Sequence, residues 1–194
     1  MTRALYVAGW SYVAVCGLLL ARSRGPTVEP PRPNHPIAPA FHGDAAGWFA
    51  QMKQFCNAVE VEVQQQANPA PAGAEGAGYS AACFALAGKV DRARATIDRL
   101  DASDRAGAAG IVFAVGHPVA DAGDDQSAGP IMRLVVEYQP KNYMALYHAG
   151  ISENILGHAD LARTHLERFL EIYKAEDGWR SNAITVLDRL NGKP

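Results

Sequence analysis

The chain has 194 residues, with 18 Lys and Arg against 20 Asp and Glu, for a net charge of -2. That balance excludes the broad basic field of a nucleic-acid binder, and no long block of like charge forms an interaction tail. The part that follows a proline-rich stretch is long enough for one domain with its own core.

Residues 4–21, ALYVAGWSYVAVCGLLLA, carry no charge. As a helix they rise about 27 Å, enough to cross a hydrocarbon core. The run is apolar all round rather than along one stripe, so residues 1–24 are expected to form a single-pass membrane anchor. A cleaved signal peptide fits less well, because Leu19-Leu20-Ala21 is a weak cleavage site. A lipoprotein signal fits less well too, because Cys16 is followed by GLLL. Arg3 and the amino terminus nearly balance Arg22 and Arg24, so the positive-inside rule is almost neutral. A short charged tail before one apolar span tips the expectation towards a domain outside the cytoplasm. Residues 25–43 read as a linker, since residues 25–40 hold six of the twelve prolines and favour extended polyproline II.

Helical periodicity begins after Phe41. Trp48, Met52 and Phe55 fall at i, i+4 and i+7, on one face. Residues 58–66, AVEVEVQQQ, alternate like a strand at Val59, Val61 and Val63. No second strand-like run exists to pair with them, so a helix or extended segment packed on its neighbours is expected. Residues 67–76 read as a loop. Helical hairpins follow at 77–100, 106–138 and 142–173, then a last helix at 179–190 with Trp179, Ala183, Val186, Leu187 and Leu190 on one face. Pro118 predicts that the first helix of the middle hairpin ends or bends near Val115. Pro130 is tolerated if Ser127 caps the second helix.

Small residues recur across the hairpins. Gly116, Gly123 and Ala128 reappear thirty-four residues on as Gly150, Gly157 and Ala162. Upstream, Ala81, Gly88 and Ala93 keep the same internal spacing of seven and five. A shared register at a period used by helical repeats marks the segment as a repeat array. The first member of each set lets two helices approach, the second takes the left-handed turn at a helix end, and the alanine sits where the second helix crowds its partner. Pro140 follows the second helix of the middle unit, where a proline ends a helix without cost.

On Gly88, Ala93, Gly116, Gly123, Ala128, Pro140, Gly150, Gly157 and Ala162, the chain resembles the tetratricopeptide repeat family. The resemblance implies an all-α fold, with antiparallel hairpins stacked as a short right-handed solenoid over residues 44–194. The units would span 74–108, 109–142 and 143–176, with a capping helix at 178–191. It also implies a non-catalytic scaffold that binds a protein or peptide on a concave face lined by Phe113, His117, Met144, Tyr147, Ile151 and Asn154. That face lacks the cluster of Lys and Arg that grips carboxylate tails, and an apolar helix or extended segment suits it better. Self-association into a homo-oligomer is the second mode.

In GHPVADAGDD, residues 116–125, Asp121, Asp124 and Asp125 are oxygen donors near His117. The alternation of a calcium loop is missing, so a capped turn is the expected reading, with metal binding or enzymatic activity at Asp121–Asp125 the lesser alternative. His148, His158 and His165 form no i, i+4 pair on one helix, and solvated positions are expected. Cys56 and His42 are not supported as a nucleophile and base. No catalytic residue, metal or cofactor is therefore expected. Cys56 and Cys83 are expected as two buried thiols in helices, with a disulfide as the alternative in an oxidising compartment.

Overall fold

The computed structural model describes residues 37–193, so the expected anchor and residues 25–36 of the linker lie outside the described residues. Within that range every regular element is helical. The helices are α1 (Ala45–Met52), α2 (Val61–Ala67), α3 (Ala74–Leu86), α4 (Val90–Asp98), α5 (Ala102–Asp121), α6 (Asp125–Tyr138), α7 (Tyr143–Ile155), α8 (Ala159–Ile172) and α9 (Gly178–Leu190), with a 3-10 turn at Lys53–Phe55. None of the described helices is long and apolar enough to cross a membrane. The described residues are all-α, as expected, and the alternating valines are not a strand. Val61 is fully buried in α2, whereas Val59 and Val63 are exposed.

Three helix pairs follow one another: α3 with α4, α5 with α6, and α7 with α8. Each pair closes through the same turn. Gly88, Gly123 and Gly157 take φ of 73°, 77° and 83°, a region that a side chain disfavours. The next residue's N–H then reaches back to the helix just left: Lys89 to the Phe84 carbonyl, Asp124 to Val119 and His158 to Glu153, at 2.9, 3.2 and 2.8 Å. This closure satisfies carbonyls that the helix end leaves open. The same arrangement recurs at the end of α9, where Gly192 has φ of 70° and the Lys193 N–H donates to the Asp188 carbonyl at 2.8 Å. That fourth instance of the turn lies just beyond the expected capping helix, and Gly192 has no place in the sequence repeat described above.

The small residues inside the helices act as contact points. A methyl group on Gly116 would come within 2.6 Å of Ile131 Cγ2, and one on Gly150 within 2.6 Å of Leu166 Cγ. Ala81, Ala93, Ala128 and Ala162 are all fully buried. Val112 and Leu146 fill the adjoining interior. At this backbone separation the interior packs densely, and an added carbon has nowhere to go.

The early helix end expected at Pro118 and the cap expected for the helix with Pro130 both need correction. α5 does not end near Val115 but continues through Pro118 to Asp121. Pro118 lies within the last turn of α5, so its missing N–H removes a single bond, to Ala114, while Ala122 N–H still reaches the Pro118 carbonyl at 3.1 Å. α6 is capped by Asp124, whose carboxylate accepts from the Ser127 N–H at 3.2 Å. Ser127 thus receives the cap rather than supplying it, and Pro130 sits in the second turn.

The front of the domain is held differently. Cys56 and Cys83 form a disulfide that joins the 3-10 turn to α3, so they are not the two free thiols expected. The end of the expected linker is docked on the domain. Ala38 is buried, its N–H donates to Gln64 Oε1 at 2.9 Å, and its carbonyl accepts from Asn68 Nδ2 at 2.7 Å. The indole N–H of buried Trp48 donates to the Asn68 carbonyl at 3.0 Å, so every buried polar group named here has a partner.

Candidate functional site

Two first helices, α5 and α7, supply the side chains that the repeat reading assigns to binding. Phe113, His117 and Asp121 occur at successive four-residue steps and share one face of α5. This alignment exists because α5 runs through Pro118. On α7, Met144, Tyr147 and His148 occupy the first two turns.

Phe113 stacks on the His117 ring at 4.9 Å between centroids. The Nε2 atom of His117 lies 3.0 Å from the Nε2 atom of His148. The Asp121 carboxylate oxygen Oδ1 lies 3.6 Å from the first nitrogen and 3.7 Å from the second. His148 is enclosed by the edges of Tyr147 and Trp179, with centroids at 5.5 and 5.6 Å. Its side chain is 11% exposed, that of His117 is 21% exposed and that of Asp121 is 56% exposed. The cluster is therefore walled on the histidine side and open beside the carboxylate. Burial holds the His148 imidazole below its ordinary pKa, and the neighbouring His117 pushes it the same way.

Three aspartates that are close in sequence have separate roles. Asp121 joins the two histidines, Asp124 caps α6, and Asp125 accepts from the Ser152 hydroxyl at 2.8 Å. The set His117, Asp121 and His148 is a donor set suited to a divalent ion, although no metal ligands were expected. An i, i+4 His–Asp pair on one helix and a histidine in the next unit were the available signal. Reading Asp121 as part of a capped turn rather than of α5 concealed it.

Next to the cluster is an apolar groove of about 610 Å³, lined by Phe113, Tyr138, Pro140, Tyr143 and Met144 among others. Phe113 thus faces both features. Tyr147 is engaged within the chain: it stacks on Trp179 of α9 at 4.8 Å, and its hydroxyl accepts from Asn182 Nδ2 at 2.8 Å. Ile151 packs against the core, and the Asn154 carbonyl accepts the Gly157 N–H at 3.2 Å. Of the six expected groove residues, Phe113 and Met144 line the groove, while His117 and Tyr147 belong to the aromatic and histidine cluster.

Glu153 on α7 is fully buried, yet both of its carboxylate oxygens have a side-chain neighbour. Arg133 Nη1 approaches its Oε1 at 3.1 Å, and His158 Nδ1 its Oε2 at 2.5 Å. This carboxylate ties α6, α7 and the start of α8 together.

Compared with family models, curated proteins and solved structures, the chain matches none.

Proposed function

We propose that this chain is a tetratricopeptide-like scaffold, tethered to a membrane by its apolar N-terminal segment, that binds a protein partner in the groove between its first helices. In this reading the hairpins at 74–108, 109–142 and 143–176 stack as a right-handed solenoid, and α9 closes the array. The recurrence of one turn closure at intervals of thirty-four to thirty-five residues supports the repeat. The carrying observation for binding is the open apolar groove at Phe113, Tyr138, Pro140, Tyr143 and Met144. Its dimensions and lining suit an apolar side chain from a partner helix or extended segment. The Cys56–Cys83 bridge supports a location on the oxidising side of the membrane.

The test is site-specific photo-crosslinking in intact cells of the source. A probe at Met144 in the groove should give a discrete heavier adduct that Tyr143→Glu diminishes, whereas a probe at exposed Thr164 on α8 should not. Equal adducts at both positions, or none at Met144, would refute the reading.

A further inference from the structure

We propose that His117, Asp121 and His148 form a binding site for a single divalent transition-metal ion of the zinc type, bridging two successive first helices. The argument is independent of the scaffold reading, because it rests on where three donor atoms stand. Their separations of 3.0, 3.6 and 3.7 Å define a triangle. The point equidistant from its corners lies about 2.0 Å from each, the product of the sides divided by four times the area, which is the length of a zinc–nitrogen or zinc–oxygen bond. A tetrahedral ion with such bonds holds its ligands roughly 3.3–3.5 Å apart, close to all three spacings. The three donor spacings therefore match those around a bound ion.

The donor chemistry narrows the choice of ion. Two imidazole nitrogens and one carboxylate oxygen favour zinc, cobalt, nickel or copper over calcium and magnesium, which require shells of oxygen. Both histidines must present a bare Nε2 to an ion, and these two atoms already stand 3.0 Å apart. The rings are held before any ion arrives: Phe113 stacks on His117, and Tyr147 and Trp179 flank His148. Asp125, fixed by Ser152, acts electrostatically on His148 and adds a second negative charge near the site. Three protein donors leave a fourth position open, on the side where Asp121 is exposed, for water or a donor from another molecule. Because the donors come from α5 and α7, the ion would cross-link two hairpins thirty-one residues apart at their histidines.

The full chain, purified without a histidine tag, is titrated with Zn2+ by calorimetry and with Co2+ by visible absorption. One ion should bind per chain, with cobalt bands that zinc bleaches. His117→Ala, Asp121→Asn and His148→Gln should each weaken zinc binding at least tenfold, whereas His165→Gln and His158→Gln should leave it unchanged. If circular dichroism shows His148→Gln unfolded, His117→Ala and Asp121→Asn, at more exposed positions, decide the matter. Failure to saturate at one equivalent, or undiminished affinity in those two variants, would overturn the site. Neither outcome depends on a protein partner, so the groove reading stands or falls separately.

Discussion

The two ends of the domain keep their helices together by different means. From α5 to α9 the chain repeats one solution: a glycine turn, a small residue under a bulky one, and a short step to the next helix. There the packing supports itself, since Gly116 receives Ile131 and Gly150 receives Leu166, each from the second helix of its own hairpin. From Ala38 to α2 no such pattern exists. The helices are short, and the region depends on a disulfide, the buried Trp48 and side-chain amides that bond to backbone. A repeat can bury its faces against like neighbours, but its first face has no like neighbour. An irregular covering segment has to be fastened by specific bonds instead.

Removing the fastening should have the largest effect. Cys56→Ser with Cys83→Ser frees a loop with a sequence separation of 27, and a loop of this size predicts a loss of about 3–4 kcal/mol. Urea unfolding of the oxidised protein and the double variant measures it. In the repeated part, Gly150→Ala should cost about 1–3 kcal/mol, because the new methyl group meets Leu166 side-chain atoms and its backbone nitrogen. Gly107→Ala in α5 meets nothing within 4 Å and should instead gain about 0.5–1 kcal/mol from helix propensity. The opposite signs, read in one set of urea melts, separate close packing from backbone freedom.

A smaller effect is expected at the far end. Asp177 accepts from the N–H groups of Trp179 and Arg180 at the start of α9. Asp177→Ala should cost about 1 kcal/mol and loosen α9, visible as faster amide exchange from Arg180 to Ala183. The smallest change concerns acid. Burial holds the His165 imidazole below its ordinary pKa, even though its Nδ1–H donates to the Leu161 carbonyl. The unfolded chain then takes up a proton more readily than the folded one. This contribution is absent above the unfolded value of about 6.5 and penalises folding as the pH falls below it. His165→Gln should therefore narrow the difference in urea midpoint between about pH 7.5 and pH 5.5.

The hairpins were legible in the sequence because turn glycines and buried alanines answer to local backbone rules. Gly88, Gly123 and Gly157 could be placed from spacing alone, and their left-handed φ values follow from it. Gly192 shares the conformation but is not part of the small-residue set that carried the register. The period-two valines did not decide the segment: Val61 faces the interior, Val59 lies in the turn before α2 and Val63 faces solvent on it, so the helical alternative holds. Pro118 misled. Ending α5 early removes Asp121 from the face of His117, and with it the first sign of the cluster. The partner His148 is a tertiary neighbour on another helix, and no local pattern joins the two rings. The disulfide was equally beyond sequence spacing, since it depends on how the 3-10 turn meets α3.

Native-state hydrogen exchange of the full chain, oxidised and after reduction, tests most directly whether the two ends are held independently. The account predicts that reduction accelerates exchange in α1 and α2, while protection at α5 to α9 changes little. A uniform loss of protection from α1 to α9 would contradict it, showing that the repeated hairpins need the front staple to persist.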